Sequence, residues 1–255
     1  MKLLKDISFR PSAGISGLCD LYLPDRVSRA DLAVLTIHGG GWNSLTKESF
    51  EGVARWLCND LGLPVCNTNY RLTGEAPWPA CGDDCLAAAK FLLADTRIPG
   101  GPAGRKLFVV GGSSGGHLAL MTGLRLPPEK VAGIVSISGI ADLSSSAGRF
   151  AGLFGHEPDE AEIRAADPAT YLTPDSPPVL CTHERGDNVV PVRASQDFLA
   201  AVRRNGTAGE AFFYDKDETG YSHRIWIPGS DPHRLYPEIE AAVSAFIARC
   251  MDKLK

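Results

Sequence analysis

The sequence predicts an α/β fold: a mostly parallel central sheet of about eight strands with helices on both faces. Three observations predict it. Continuous apolar runs of strand length, among them Leu32–Ile37, Leu107–Val110 and Val131–Ser138, read as buried strands. Helix-forming stretches separate most of these runs, as strand–helix alternation requires. The chain has 255 residues, 44% hydrophobic and 22% charged, which suits one domain over residues 1–255 with one sizeable core.

In order, Ile7–Phe9 and Leu18–Leu23 read as two short strands joined by the turn-rich PSAGISG, and Pro24 closes the second. Leu32–Ile37 leads into a glycine-rich loop, His38-Gly39-Gly40-Gly41-Trp42. Lys47–Cys58 reads as a helix with Phe50, Val53, Ala54 and Leu57 on one face. Pro64–Thr68 is the next strand. An irregular loop through Asn69-Tyr70-Arg71-Leu72 and Ala76-Pro77-Trp78-Pro79 precedes a helix from about Gly82 to Leu93. Asp83 and Asp84 suit its first turn, where the helix dipole favours negative charge. After Val131–Ser138, residues 139–176 hold loop formers, Phe150, Phe154 and Tyr171, and an acidic helical piece near Pro158–Ala166. Pro178–Thr182 and Glu210–Tyr214 complete the strands, Arg193–Arg203 and Leu235–Met251 the helices.

The stretch Lys106–Ala119, KLFVVGGSSGGHLA, carries the chemistry. Strand, tight Gly-Ser turn and helix former follow one another, the context of a G-x-S-x-G nucleophile elbow. A serine in so sharp a turn holds a strained backbone, and side chains two residues before and after it would clash. The spacing fits two registers. Gly111-Gly112-Ser113-Ser114-Gly115 makes Ser113 the nucleophile, and Gly112-Ser113-Ser114-Gly115-Gly116 makes it Ser114.

The run Ser113–Ala119 resembles the S-A-G-G-x-L-A of hormone-sensitive-lipase-like and BD-FAE-like α/β-hydrolases, the latter of feruloyl and acetyl xylan esterase type. That resemblance implies the α/β-hydrolase fold, with Ser113 as nucleophile and Ser114 where the family usually has Ala. The loop His38–Trp42 lies where these hydrolases build part of the oxyanion hole, implying the N–H groups of Gly40, Gly41 and Ser114 as donors. One such donor is worth roughly 3–4 kcal/mol in the transition state. His38 is expected to brace this loop, and Trp42 to pack over it and wall the leaving-group side. Asn69–Pro79 resembles the family's Y-R-L…P-x-P segment.

His183–Val192 resembles the family's H-G-x-x-D-x-x-V-P segment, with Glu184 in place of the usual Gly. This implies Asp187 as the acid; Asn188 lacks the charge to replace it well, and His183 reads as a structural residue of the loop. The expected base is His223, which ends KDETGYSH and opens HRIW, similar to the family's His-plus-aromatic ending. His233 is its rival, because it also follows the last strand. The resulting order of Ser113, Asp187 and His223 is the one α/β-hydrolases use. Trp42, Tyr70 and Trp226 are expected to contact substrate, with Trp78, Phe150 and Phe154 as further wall candidates.

The expected activity is that of a serine carboxylic ester hydrolase working through an acyl-enzyme, on short-acyl or feruloyl esters of carbohydrates. Residues 139–176 form only a short cap. About 30 residues precede Leu32, too few for the N-terminal helical cap of typical hormone-sensitive-lipase-like enzymes. An open pocket is therefore expected, suited to bulky esters. Two alternatives compete: an arylformamidase-like amide hydrolase, since HGGxW loops occur there too, and an inactive α/β-hydrolase kept as a binding module.

Other classes are disfavoured. Net charge is -4 with no basic run, which argues against nucleic acid and anionic membranes as partners. No apolar stretch approaches a membrane span. Lys5 and Asp6 stand where a secretion signal would need its apolar core, and the seven cysteines lack metal spacing, so the expected compartment is the cytoplasm with thiols reduced. Cys81 and Cys85 read as ordinary residues at a helix start. No metal or other cofactor is expected, and oligomeric state is not legible.

Overall fold

The structure, a computed structural model, describes residues 1–143, 151–215, 223, 225–227 and 229–254. Eight strands form one sheet: β1 (Lys2–Ser8), β2 (Leu18–Leu23), β3 (Leu32–Ile37), β4 (Val65–Thr68), β5 (Lys106–Gly112), β6 (Val131–Ile137), β7 (Val179–Glu184) and β8 (Gly209–Tyr214). Their spatial order is β1-β2-β4-β3-β5-β6-β7-β8. The β1–β2 and β2–β4 pairs are antiparallel, and every later pair is parallel. The expected strand count and mostly parallel sheet are both present.

Among the described residues there are seven α-helices: α1 (Glu51–Asp60), α2 (Ala80–Ala94), α3 (Ser114–Arg125), α4 (Ala151–Phe154), α5 (Glu160–Ala166), α6 (Val192–Arg204) and α7 (Pro237–Lys253). Alternation along the strands divides the core in two. In β3, Ala33, Leu35 and Ile37 pack towards α2, α3 and α6, whereas Leu32 and Val34 pack towards α1 and α7. Every residue of β3 is consequently buried, the reason its sequence is a continuous apolar run. No described helix is long and apolar enough to cross a membrane.

Three elements differ from expectation, each for a local reason. The first strand begins at Lys2 rather than Ile7. It is an edge strand whose outward positions carry Lys and Asp, so its sequence hides the apolar alternation. The helix expected over Lys47–Cys58 starts as a 3-10 turn, Lys47–Phe50, and becomes α-helical only at Glu51. Lys47 explains the tight start. Its side chain is buried, with its ammonium 3.0 Å from Asp6, 3.1 Å from Asp20 and 2.7 Å from Glu48, while its backbone N–H donates to Asn69 Oδ1. Finally, α2 starts at Ala80 rather than Gly82, so Asp83 lies in its first turn and Asp84 one position beyond it. Asp84 is fully buried and accepts hydrogen bonds from both Arg10 and Arg71, tying the loop after β4 to α2.

Candidate active site

The parallel strands deliver their C-terminal ends to one edge, where α/β folds collect chemistry. Ser113 follows β5 directly and has φ 56°, ψ −123°, outside the regions an L residue prefers. Its neighbours make that turn possible. A Cβ on Gly111 would lie 2.0 Å from the Gly115 carbonyl oxygen, and one on Gly115 would lie 2.3 Å from the Ile37 oxygen. The tightest of these contacts fall on the glycines two residues either side of Ser113, although a Cβ on Gly116 would also meet the Gly139 backbone at 2.7 Å. Ser113 is half-exposed at the turn, whereas Ser114 is wholly buried as the first residue of α3.

His223 faces Ser113. Its Nε2 lies 3.0 Å from Ser113 Oγ and its Nδ1 lies 2.6 Å from Asp187 Oδ2. The carboxylate requires Nδ1 to be the donor, which leaves Nε2 as the acceptor for the serine hydroxyl. Asp187 Oδ1 accepts the N–H groups of Val189 and Val190 at 2.9 and 2.8 Å. Burial on its own pushes the Asp187 carboxyl up. Bonds from His183, His223 and the Val190 N–H outweigh it and hold the group well below the usual carboxylate range. Most of the KDETGYSH loop before His223 lies outside the described residues.

A pocket of about 540 Å³ opens over Ser113 and His223. Gly39, Gly40 and Gly41 form one side, and Gly40 and Gly41 have φ of 109° and 61°. A side chain on Gly40 would strike the Ser44 carbonyl oxygen at 2.1 Å. This loop is braced from below. The His38 ring stacks on Tyr70 at 4.3 Å, its Nδ1 donates to the Gly39 carbonyl, and the Tyr70 hydroxyl donates towards the His38 and Gly39 carbonyls. Ser114 N–H belongs to the first turn of α3, where the helical ladder supplies no acceptor.

The residues expected to contact substrate separate. Trp226 lines the pocket and packs edge-on against Phe50. Trp42 also borders it but is turned inward, and its indole N–H donates to His117 Nδ1 at 3.2 Å. Trp42 is 4% exposed. Tyr70 is 1% exposed and lies under the His38–Trp42 loop, outside the pocket lining, because its hydroxyl is spent on that loop's carbonyls. Trp78 packs over Gly82 and against His117, and Phe154 is buried in the core. Phe150 lies outside the described residues. Sequence reading missed an aliphatic wall of Ile140, Val189, Val190 and Ile225. Val189, Val190 and Ile225 lie inside motif segments and Ile140 in the 139–176 stretch, and none of the four carried a polar signal. His233 borders the same pocket, stacked on Trp226 at 5.8 Å, with Nδ1 donating to the Ser230 carbonyl. Among the described residues of the 139–176 segment, only Ile140 reaches the pocket.

His117 joins the elbow helix to that segment, since its Nε2 donates to the Ala166 carbonyl at 2.7 Å. Burial pushes His117 down to about 4, and burial does the same to His38. Both are neutral when folded, whereas an unfolded histidine takes up a proton near pH 6.5. Between roughly pH 6.5 and 4 the unfolded chain therefore holds the extra protons. Stability is highest above this window and falls through it, by on the order of 3 kcal/mol per buried histidine. Urea unfolding of the wild type should show this loss. In His117→Phe the slope across the window should fall by about one proton's worth, and an unchanged slope would mean that His117 titrates freely in the fold. Among the described residues no group of three or more His, Cys, Asp or Glu side chains is placed to hold a metal ion. Cys81 and Cys85 are both buried, and burial pushes the Cys81 thiol up to about 12.

A strained serine between a parallel strand and a helix, on an eight-stranded sheet of this order, defines the α/β-hydrolase fold. The chain superposes on esterase B from Lactobacillus rhamnosis with a TM-score of 0.80, over 99% of this chain and 87% of that one, at 19% identity. Within that fold, the BD-FAE family model matches residues 19–202, and the chain belongs to the BD-FAE family. It is 33% identical over 129 residues to the ethyl acetate hydrolase of Pseudomonas putida, covering 50% of this chain and 40% of that protein. It is 30% identical over 127 residues to the hormone-sensitive lipase of Mus musculus, covering 49% of this chain and 17% of that protein. The chain thus matches less than half the length of these curated relatives.

Proposed function

We propose that the protein is a serine carboxylesterase that hydrolyses short-acyl or feruloyl esters, with carbohydrates as the alcohol. The observation that carries this reading is the His223 ring held between Ser113 Oγ at 3.0 Å and Asp187 Oδ2 at 2.6 Å on the wall of a pocket. Ser113 Oγ attacks the ester carbonyl carbon as His223 Nε2 takes its proton. Asp187 stabilises the imidazolium that forms. Negative charge on the former carbonyl oxygen is met by the N–H groups of Gly40, Gly41 and Ser114. His223 returns the proton to the departing alcohol, which leaves an acyl group on Ser113. Water, activated by the same histidine, then releases the acid.

The aliphatic wall of Ile140, Val189, Val190 and Ile225 suits a small acyl group, and the Trp226–His233 stack offers a flat face to a sugar or aromatic ring. The ethyl acetate hydrolase of the family's wider kin accords with the short-acyl reading. The test is an activity panel of nitrophenyl acetate, nitrophenyl octanoate, acetylated xylan, methyl ferulate and N-formylkynurenine. Acetyl or feruloyl esters should be cleaved fastest. A strong preference for the octanoate overturns the substrate assignment, and faster cleavage of N-formylkynurenine favours an amide hydrolase. Failure to cleave any of them, without covalent labelling by an organophosphate, marks a binding module.

A further inference from the structure

We propose that His183 is a positioning residue for the reaction, fixing the orientation of the Asp187 carboxylate on which His223 depends. The inference rests on the serine-hydrolase reading above. His183 is the penultimate residue of β7, a strand buried along its whole length, and its side chain is wholly enclosed. Its Nε2 lies 2.8 Å from the Val190 carbonyl oxygen and 3.3 Å from Asp187 Oδ2. Both are acceptors, so Nε2 carries the proton and shares it, chiefly with Val190. Nδ1 is left with its lone pair, and the hydroxyl of Ser195, buried in the first turn of α6, donates to it at 2.8 Å. Ser195 thereby selects the tautomer that places an N–H against the acid loop.

The geometry of that loop makes this contact consequential. Asp187 Oδ1 is occupied by the amides of Val189 and Val190. Oδ2 is shared between two imidazoles, His223 at 2.6 Å and His183 at 3.3 Å. Val190 is gripped from both sides, its N–H by Asp187 and its carbonyl by His183. Rotating the carboxylate would break contacts at both oxygens, and losing His183 would free the far end of the loop that supplies two of them. A buried imidazole with both nitrogens committed is a demanding way to fill space that a leucine could fill. Its polar identity is explained by what its N–H holds.

The experiment measures kcat and KM with nitrophenyl acetate for wild type, Ser113→Ala, His183→Leu, His183→Gln and Ser195→Ala, each corrected for folded fraction by circular dichroism. His183→Leu should lose about 10- to 100-fold in kcat, the cost of a small misplacement of a reacting group, with KM within about twofold. His183→Gln, whose amide N–H reaches the Nε2 position, should recover to within about fivefold of wild type. Ser195→Ala should fall about threefold or more. A folded His183→Leu with wild-type kcat overturns the proposal, as does equal impairment of the Leu and Gln variants. Should His183→Leu not fold, Ser195→Ala decides, and an unchanged kcat there rejects the proposal. An inactive wild type, or an active Ser113→Ala, would reject the underlying serine mechanism instead.

Discussion

Replacing Ser113 with alanine should lower kcat for nitrophenyl acetate by about 10⁴-fold or more, the scale of loss when a triad enzyme is deprived of its nucleophile. Folding should be unaffected, because Ser113 contributes one half-exposed hydroxyl and its elbow is set by glycines. What remains in the variant is a histidine–aspartate pair able to activate water and the amides around the oxyanion, which accounts for a small residual rate. Ser114→Ala makes the opposite case. Its side chain is buried away from the pocket, and the backbone N–H assigned to the oxyanion survives the change, so its cost should stay below about tenfold. Pre-steady-state kinetics separate the two: a burst of nitrophenol in Ser114→Ala and none in Ser113→Ala. An organophosphate should label the wild type at Ser113. The reverse pattern would move the nucleophile by one residue and break the contact with His223 on which the mechanism depends.

The sequence revealed most where a local constraint leaves no substitute. The elbow is legible because Gly111 and Gly115 are required by contacts of 2.0–2.3 Å, so the constraint is written into residue type. The strand order in space is not, since it depends on crossovers between distant segments. The base illustrates the difference. His223 and His233 both follow β8 and both border the same pocket, so spacing ranks them only weakly. The three-dimensional course of the chain separates them, with one 3.0 Å from Ser113 Oγ and the other stacked on Trp226. Tyr70 shows the converse failure. An aromatic in a family-like motif invited a substrate role, but burial and hydrogen bonding are properties of the assembled fold, and they assign it to the underside of the loop. The two arginines on Asp84 come from positions 74 and 13 residues away, and since Arg71 lies in the loop before α2, neither contact belongs to a helical pattern.

Gly115→Ala should cripple the enzyme while costing only modest stability, and the reason lies in what the new methyl group would touch. It would stand 2.3 Å from the Ile37 oxygen and 2.4 Å from the His38 oxygen, with the His38 carbonyl carbon at 2.7 Å. These are backbone atoms at the end of β3, where the chain enters the His38–Trp42 loop, and no side-chain rotation can relieve them. The start of α3 must move away from β3. The proposed oxyanion donors stand on opposite sides of that contact, Ser114 on α3 and Gly40 and Gly41 on the loop. Separating them removes one donor from the developing charge, a loss of about 10²- to 10³-fold in kcat. KM should change little, because the neutral ester makes weaker use of these amides than the transition state does. Overpacking of this kind costs about 1–3 kcal/mol, or roughly 2–4 °C in Tm per kcal/mol for a chain of this size. Gly74→Ala is the control, since a Cβ there meets nothing within 4 Å and should leave rate and Tm near wild type. If Gly115→Ala kept wild-type kcat, the elbow and the glycine loop would not share the oxyanion, and stabilisation would have to come from one side of the contact alone.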